Sequence, residues 1–245
     1  MVTGASSGIG KATAELLARE GWRVLLVARR AKRLEALAAE LGNAVAVPAD
    51  LTAADAPARV REAVEREGGR LGLLVNNAGA EWRSTFGEGG YENVRRTMDV
   101  NFDAVVRLTE ALLPLLRAAA PSSIVNVSSI AGRVGRPHNS AYAATKFALA
   151  GWSEAIGVEE RAHGVHVGLV LPGFISTEGF PHRGLRDARA TGWLVSTPER
   201  VAEAIVAAGP GGKHEVYVPR FYAVVPKARH LAPGVVRRVL RVSRI

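Results

Sequence analysis

The sequence contains no cysteine, which excludes a disulfide framework, a thiolate metal site and a cysteine nucleophile. Any redox chemistry must therefore use a bound cofactor. No stretch approaches the roughly 20 apolar residues of a membrane-spanning helix. Met1 to Lys11 reads MVTGASSGIGK, without the basic start and apolar middle of a signal peptide, so the cytoplasm is the expected location. The six histidines, at 138, 163, 166, 182, 214 and 230, form no close ligand pair with carboxylates, and no metal site is expected. Acid is missing from the C-terminal end: after Glu215 come Arg220, Lys227, Arg229, Arg237, Arg238, Arg241 and Arg244, with no Asp or Glu. Seven of the nine excess positive charges thus sit in the last 26 residues. The body is close to neutral, which argues against a nucleic-acid-binding fold.

What is present suits one α/β domain. At 245 residues with 48% apolar and 22% charged content, the chain has material for a sizeable core. Apolar runs at Arg23 to Ala28, Ala44 to Pro48, Leu71 to Asn76, Ser123 to Ser128, Val165 to Leu171 and Glu215 to Val218 predict strands covered on both faces. Helical spacing occupies Lys11 to Glu20, Ala31 to Leu41, Ala53 to Glu67, Tyr91 to Leu116, Ser140 to His163 and Pro198 to Ala208. The alternation predicts a doubly wound parallel sheet with helices on both faces, a single Rossmann-fold domain over residues 1–219. Residues 174–196 lack periodicity and read as a lid. Only Met1 and Val2 precede Thr3, where a strand of about five residues is expected, so the chain is expected to start late within its first strand.

Thr3 to Gly10 reads TGASSGIG, with Gly4, Gly8 and Gly10 leading into a helix. Such a turn lets backbone approach a pyrophosphate and aims unpaired N–H groups and the helix dipole at it. About 20 residues on, where an acid would read a ribose 2′-hydroxyl, stand Ala28, Arg29 and Arg30. Arginine suits a 2′-phosphate, which favours NADP over NAD and places Arg29 as its reader. The alternative is a pair of exposed helix-start arginines, the more so for Arg30. Tyr142 and Lys146 share one helix face, where an ammonium can favour a tyrosinate. Ser128 and Ser129 end an apolar strand, the edge at which open α/β sheets place ligands.

Together TGASSGIG, Asp50-Leu51, Asn76-Asn77-Ala78-Gly79, Asn101, Ser129, Tyr142-Ala-Ala-Thr-Lys146 and Pro172-Gly173 resemble the short-chain dehydrogenase/reductase family, over about residues 1–218. The resemblance implies Tyr142 as general acid/base. It makes Lys146 the lysine that binds the nicotinamide ribose and lowers the tyrosine pKa, Ser129 the hydroxyl that orients the substrate oxygen, and Asn101 the support of a water-mediated proton relay. Ser128 is then a structural neighbour. Gly4, Ser6, Ser7, Gly8, Ile9 and Gly10 would cradle the cofactor phosphates. Asp50 and Leu51 would flank the adenine, Asn77, Ala78 and Gly79 would let the cofactor ribose approach, and Pro172, Gly173, Ile175 and Thr177 would hold the carboxamide. For Asp50 a turn-forming role stands beside this one. The family also implies a homodimer or homotetramer and a small-molecule carbonyl or alcohol substrate. Residues 81–90 and 174–196, with Trp82 and Trp193, are expected near that substrate, a moderately hydrophobic alcohol or ketone.

Residues 220–245 form a basic amphipathic extension in which Val235, Val236, Val239 and Leu240 make a helical stripe. The stripe is expected to cover the pocket or a partner subunit. A peripheral contact with the inner face of a membrane is the second reading; nucleic acid is not expected.

Overall fold

The computed structural model describes residues 1–178 and 192–242. Seven strands form one parallel sheet in the order β3-β2-β1-β4-β5-β6-β9. They are β1 (Val2–Thr3), β2 (Val24–Ala28), β3 (Ala44–Pro48), β4 (Leu73–Asn76), β5 (Ser122–Val127), β6 (Val165–Pro172) and β9 (Glu215–Val218). The apolar runs are continuous because both sheet faces are buried and side chains alternate between them. Leu26, Leu73, Val75 and Val125 enter the core shared with α1 (Gly8–Arg19), α2 (Ala31–Leu41) and α7 (Pro198–Ala208). Leu25, Val27, Leu74 and Ile124 enter the opposite core with α3 (Ala56–Arg66) and α5 (Ala104–Ala118). This is a doubly wound α/β domain, with its strand order reversing between β1 and β4, where such sheets open a ligand crevice.

The first strand has only two residues, yet it pairs with both β2 and β4. The amino group of Met1 is buried and donates to Leu73 O at 2.7 Å. Where one helix was predicted over Tyr91 to Leu116, the chain forms α4 (Phe86–Met98), a π turn over Asp99–Asp103, and then α5. A Thr85/Glu88 capping box starts α4 upstream of the predicted point, and Gly90, at φ +51°, breaks its helical backbone before Tyr91. Helix α6 (Ser140–Glu159) passes into a 3-10 turn over Glu160–His163.

Of the predicted lid, β7 (Phe174–Ile175) and β8 (Val195–Ser196) pair with each other, and residues 179–191 lie outside the described ones. The extension folds as a 3-10 turn over Arg220–Ala223, α8 (Val224–Leu231) and α9 (Pro233–Val242); Arg244 lies outside the described residues. Its beginning packs on the body. Tyr222 is buried and donates to Leu194 O at 3.3 Å, Phe221 lies against Trp193 with the rings tilted by 49°, and Arg229 donates to Arg133 O.

Candidate active site

Four neighbouring strands deliver their C-terminal ends to the crevice. After β1, Gly4 and Gly8 hold φ of +67° and +55°, a region open to glycine at little cost. A Cβ at Gly10 would run into Gly4 O, and one at Gly4 would stand 2.8 Å from Asn77 Nδ2. After β4, the Asn77 and Ala78 amides both donate to Thr3 Oγ1, and Asn77 Nδ2 donates to Thr3 O. These bonds clamp the glycine turn to the next strand. Asn76, by contrast, lies within the sheet and donates to Asn126 Oδ1 and Thr109 Oγ1, which is a bracing role. Thr177 lies against Gly8, where an added Cβ would be 3.2 Å from its methyl. The turn and the segment after β7 thus meet over the N-terminus of α1.

After β5, Ser128 and Ser129 part company. Ser128 Oγ donates to Lys146 O at 2.9 Å and is buried. Ser129 Oγ accepts from Ala131 N and points toward Pro172 O at 3.4 Å, so it stays at the crevice. Lys146 is buried, its Nζ donating to Val127 O at 2.9 Å and standing 5.6 Å from the Tyr142 ring centre. Burial lowers its pKa to about 8. The Tyr142 phenol is pushed up, first by burial and then by the Glu81 carboxylate, while hydrogen bonding with Ser129 acts in the opposite direction. The lowering by Lys146 that the resemblance implied is thus not the dominant influence on the phenol here.

Asn101 sits in the π turn, fully buried. Its Oδ1 accepts from Ala80 N, and its Nδ2 donates to Ala80 O and to Thr145 Oγ1. A Cβ on Gly79 would stand 3.1 Å from Asn101 Oδ1 and 3.7 Å from Lys146 Nζ. Pi turns inside helices recur at functional sites, and this one carries Asn101 to the lysine.

Residues 1–185 match the short chain dehydrogenase family. The chain belongs to that family. It is 34% identical over 209 residues to a 3-ketodihydrosphingosine reductase of Bacteroides thetaiotaomicron, covering 84% of this chain and 72% of that one. A ketoacyl reductase of Nostoc is 32% identical over 223 residues, covering 89% and 77%. A solved short-chain dehydrogenase from Streptomyces avermitilis superposes with a TM-score of 0.82 at 30% identity, over 98% of this chain and 94% of that one. The protein is therefore an oxidoreductase of a family that works with a nicotinamide cofactor.

Within this short chain dehydrogenase, the residues expected at the adenosine end make local bonds of their own. Asp50 Oδ1 accepts from Thr52 N and Oγ1, which holds its pKa below the ordinary carboxylate value and gives it a turn-forming role that leaves Oδ2 out of these bonds. The backbone carbonyl of Leu51 accepts from Arg107. Arg30, expected to be the blander arginine, lays its guanidinium on the glycine turn, donating to Ser6 Oγ at 2.9 Å and Ser7 Oγ at 2.6 Å. Arg29 is exposed and acts on Asp50 through its charge. Arg33 pairs with Glu178 at 2.7 and 2.9 Å.

The sequence reading did not foresee the contacts of three further residues, Glu81, Arg136 and Tyr222. A Ser84 N to His138 O bond ties the loop after β4 to the loop before α6. This brings Glu81 and Arg136 within electrostatic reach of each other and of Tyr142. Tyr222 packs its ring against Gly173, where any Cβ would meet it, below the Phe174 backbone that bonds it. Glu81 follows the NNAG run and Arg136 precedes Tyr142 by six residues. Those positions were the available signal, but the pairing of two distant loops was not legible in either.

Proposed function

We propose that the protein is an NADP(H)-dependent reductase that interconverts a ketone or aldehyde with the corresponding alcohol, Tyr142 serving as general acid/base. The observation that carries this reading is the convergence of Ser129, Tyr142, Lys146 and Asn101 beside a glycine turn too tight for a side chain at Gly10. Gly4, Ser6, Ser7, Gly8, Ile9 and Gly10 would hold the dinucleotide phosphates. Asp50, Leu51, Asn77, Ala78 and Gly79 would hold its adenosine half, and Pro172, Gly173, Ile175 and Thr177 its carboxamide. When bound, the cofactor supplies or accepts a hydride.

The residues of the chain then manage the proton. A phenol pushed up by burial is fully protonated at neutral pH, which suits it to donate to the developing alkoxide. Ser129 orients the carbonyl oxygen. A charged Lys146 close to the ring offsets the tyrosinate left behind, and Asn101 supports the return of the proton. NADP preference is supported by Arg30 on the Ser6 and Ser7 hydroxyls, with Arg29 beside it, because a guanidinium matches a phosphate. The names of the two relatives, both reductases of keto compounds, agree with the direction of reduction. NADPH oxidation against a panel of ketones and aldehydes, with Tyr142→Phe as the control, tests the reading; a parent inactive on the whole panel would overturn it.

The extension at residues 220–245 supports a second, separate proposal. Val224, Leu231 and Val235 are exposed, Trp193 beside Phe221 is too, and Arg220, Lys227 and Arg238 lie among them without an acid. No helix among the described residues is long and apolar enough to cross a membrane. The combination fits peripheral contact with an anionic bilayer, as at the inner face of a membrane. Sedimentation with anionic and with neutral liposomes distinguishes this from packing alone. We further propose a homodimer or homotetramer, which the mass in solution checks.

A further inference from the structure

Hydride and proton transfer at a carbonyl do not call for a second cation beyond Lys146, yet Arg136 is held within electrostatic reach of Tyr142. Its guanidinium lies 5.1 Å over the Phe174 ring, on the residue that follows the Pro172-Gly173 turn. Its Nε is buried without a hydrogen-bond partner. Among the described residues no carboxylate lies at ion-pair distance from it. A desolvated cation without a bonded counter-charge is costly unless something completes it. Burial accordingly holds Arg136 below the ordinary arginine range.

The groups around it do not complete it. Glu81 is the acid that acts on it, and burial pushes that carboxyl up, toward its neutral form. Arg83 opposes the charge, and Tyr222 and Tyr142 are phenols. Even with Glu81 ionised, Glu81, Arg83 and Arg136 sum to one positive charge. A guanidinium stacked on an aromatic face still has its in-plane N–H donors for an oxyanion at its edge.

We infer that Arg136 is an anion-recognition residue of the substrate pocket, so that the carbonyl compound placed between Ser129 and Tyr142 carries an oxyanion that pairs with the guanidinium stacked on Phe174. The inference rests on the reductase reading and narrows its substrate class. The oxyanion has two chemical sources: the carboxylate of a free oxo acid, or a phosphate on the arm of an oxoacyl thioester.

The test compares acetoacetate, its neutral ethyl ester and acetoacetyl-coenzyme A as substrates for NADPH oxidation by the parent, Arg136→Gln and Arg136→Lys. The parent is expected to prefer an anion over the ester. The ratio of kcat/KM for that anion over the ester should fall at least tenfold in Arg136→Gln and be partly restored in Arg136→Lys. A fall for acetoacetate identifies the carboxylate, and a fall for acetoacetyl-coenzyme A alone identifies the phosphate. An unchanged ratio for both anions overturns the inference while leaving the reductase reading in place. If the parent reduces none of the three, that reading fails for them and the inference is decided by binding. Acetoacetate or inorganic phosphate should then raise the melting temperature of the parent, with saturating NADP present, and not that of Arg136→Gln; equal shifts overturn it.

Discussion

Burial penalises the charged form of both Tyr142 and Lys146, so the phenol keeps its proton and the lysine yields its own sooner than in water. If Tyr142 is the proton donor, Tyr142→Phe should lower kcat to a few per cent or less with the dissociation constant for NADPH nearly unchanged. Lys146→Ala should impair both rate and cofactor binding; stopped-flow rates and fluorescence titration separate the two effects. The same lysine makes a statement about stability. Its folded pKa of about 8 lies below the 10.5 of the free side chain, so between those values the unfolded chain binds more protons and stability rises with pH. The rise is at most about 3 kcal/mol. Urea unfolding from pH 7.5 to 10.5 should show it in the parent and lose it in Lys146→Met. At the cofactor end, Arg30→Glu should abolish a preference for NADPH over NADH, with Arg29→Glu acting more weakly because Arg30 holds the turn hydroxyls. Equal loss in the two variants would return Arg29 to the role the sequence suggested.

Elements with one dominant periodicity were legible from the sequence. The start of α2 at Ala31 and its end at Leu41, all of β3, and α7 coincide with their predicted limits, because Gly42 and the Thr197-Pro198 pair punctuate them. The candidate residues Asn101, Ser129, Tyr142 and Lys146 were legible for a different reason, since their order and spacing along the chain resemble the motifs of a known family. What was not legible depends on contacts between segments far apart in the chain. Arg30 reaches back 23 and 24 residues to Ser7 and Ser6, and Tyr222 crosses to Gly173. The extension shows the difference: its amphipathic spacing predicted a helix, but only the structure reveals that Tyr222 anchors its beginning on the body. Tyr222→Ala removes a buried ring, and losses of this kind cost about 3 to 5 kcal/mol. Removing residues 224–245 while keeping Tyr222 should cost far less stability. If α8 and α9 cap the pocket, that truncation should raise KM without lipid dependence; if they meet a bilayer, it should abolish liposome binding and leave KM alone.

At the level of the whole molecule, two apolar cores clamp the sheet from opposite sides, and the site hangs from the strand ends between them. Gly10→Ala is therefore a change with distant effect. Its methyl would press on Gly4 O and push β1 away from Asn77, so both the melting temperature and cofactor affinity should fall, whereas Gly21→Ala meets nothing within 4 Å and strains only its own turn at φ +87°. The π turn at Asp99–Asp103 has a consequence of another kind. Its extra residue sets the helices on either side out of phase, and one residue of α-helix corresponds to about 100° of rotation. Deleting Val100 would let the backbone relax into regular helix, a local gain in hydrogen-bond geometry. It would also swing the faces of α4 by that angle against α5 and carry Asn101 away from Thr145 and Ala80. Length at this point acts like a reading frame: a chain one residue shorter can be better wound and still have its site out of register.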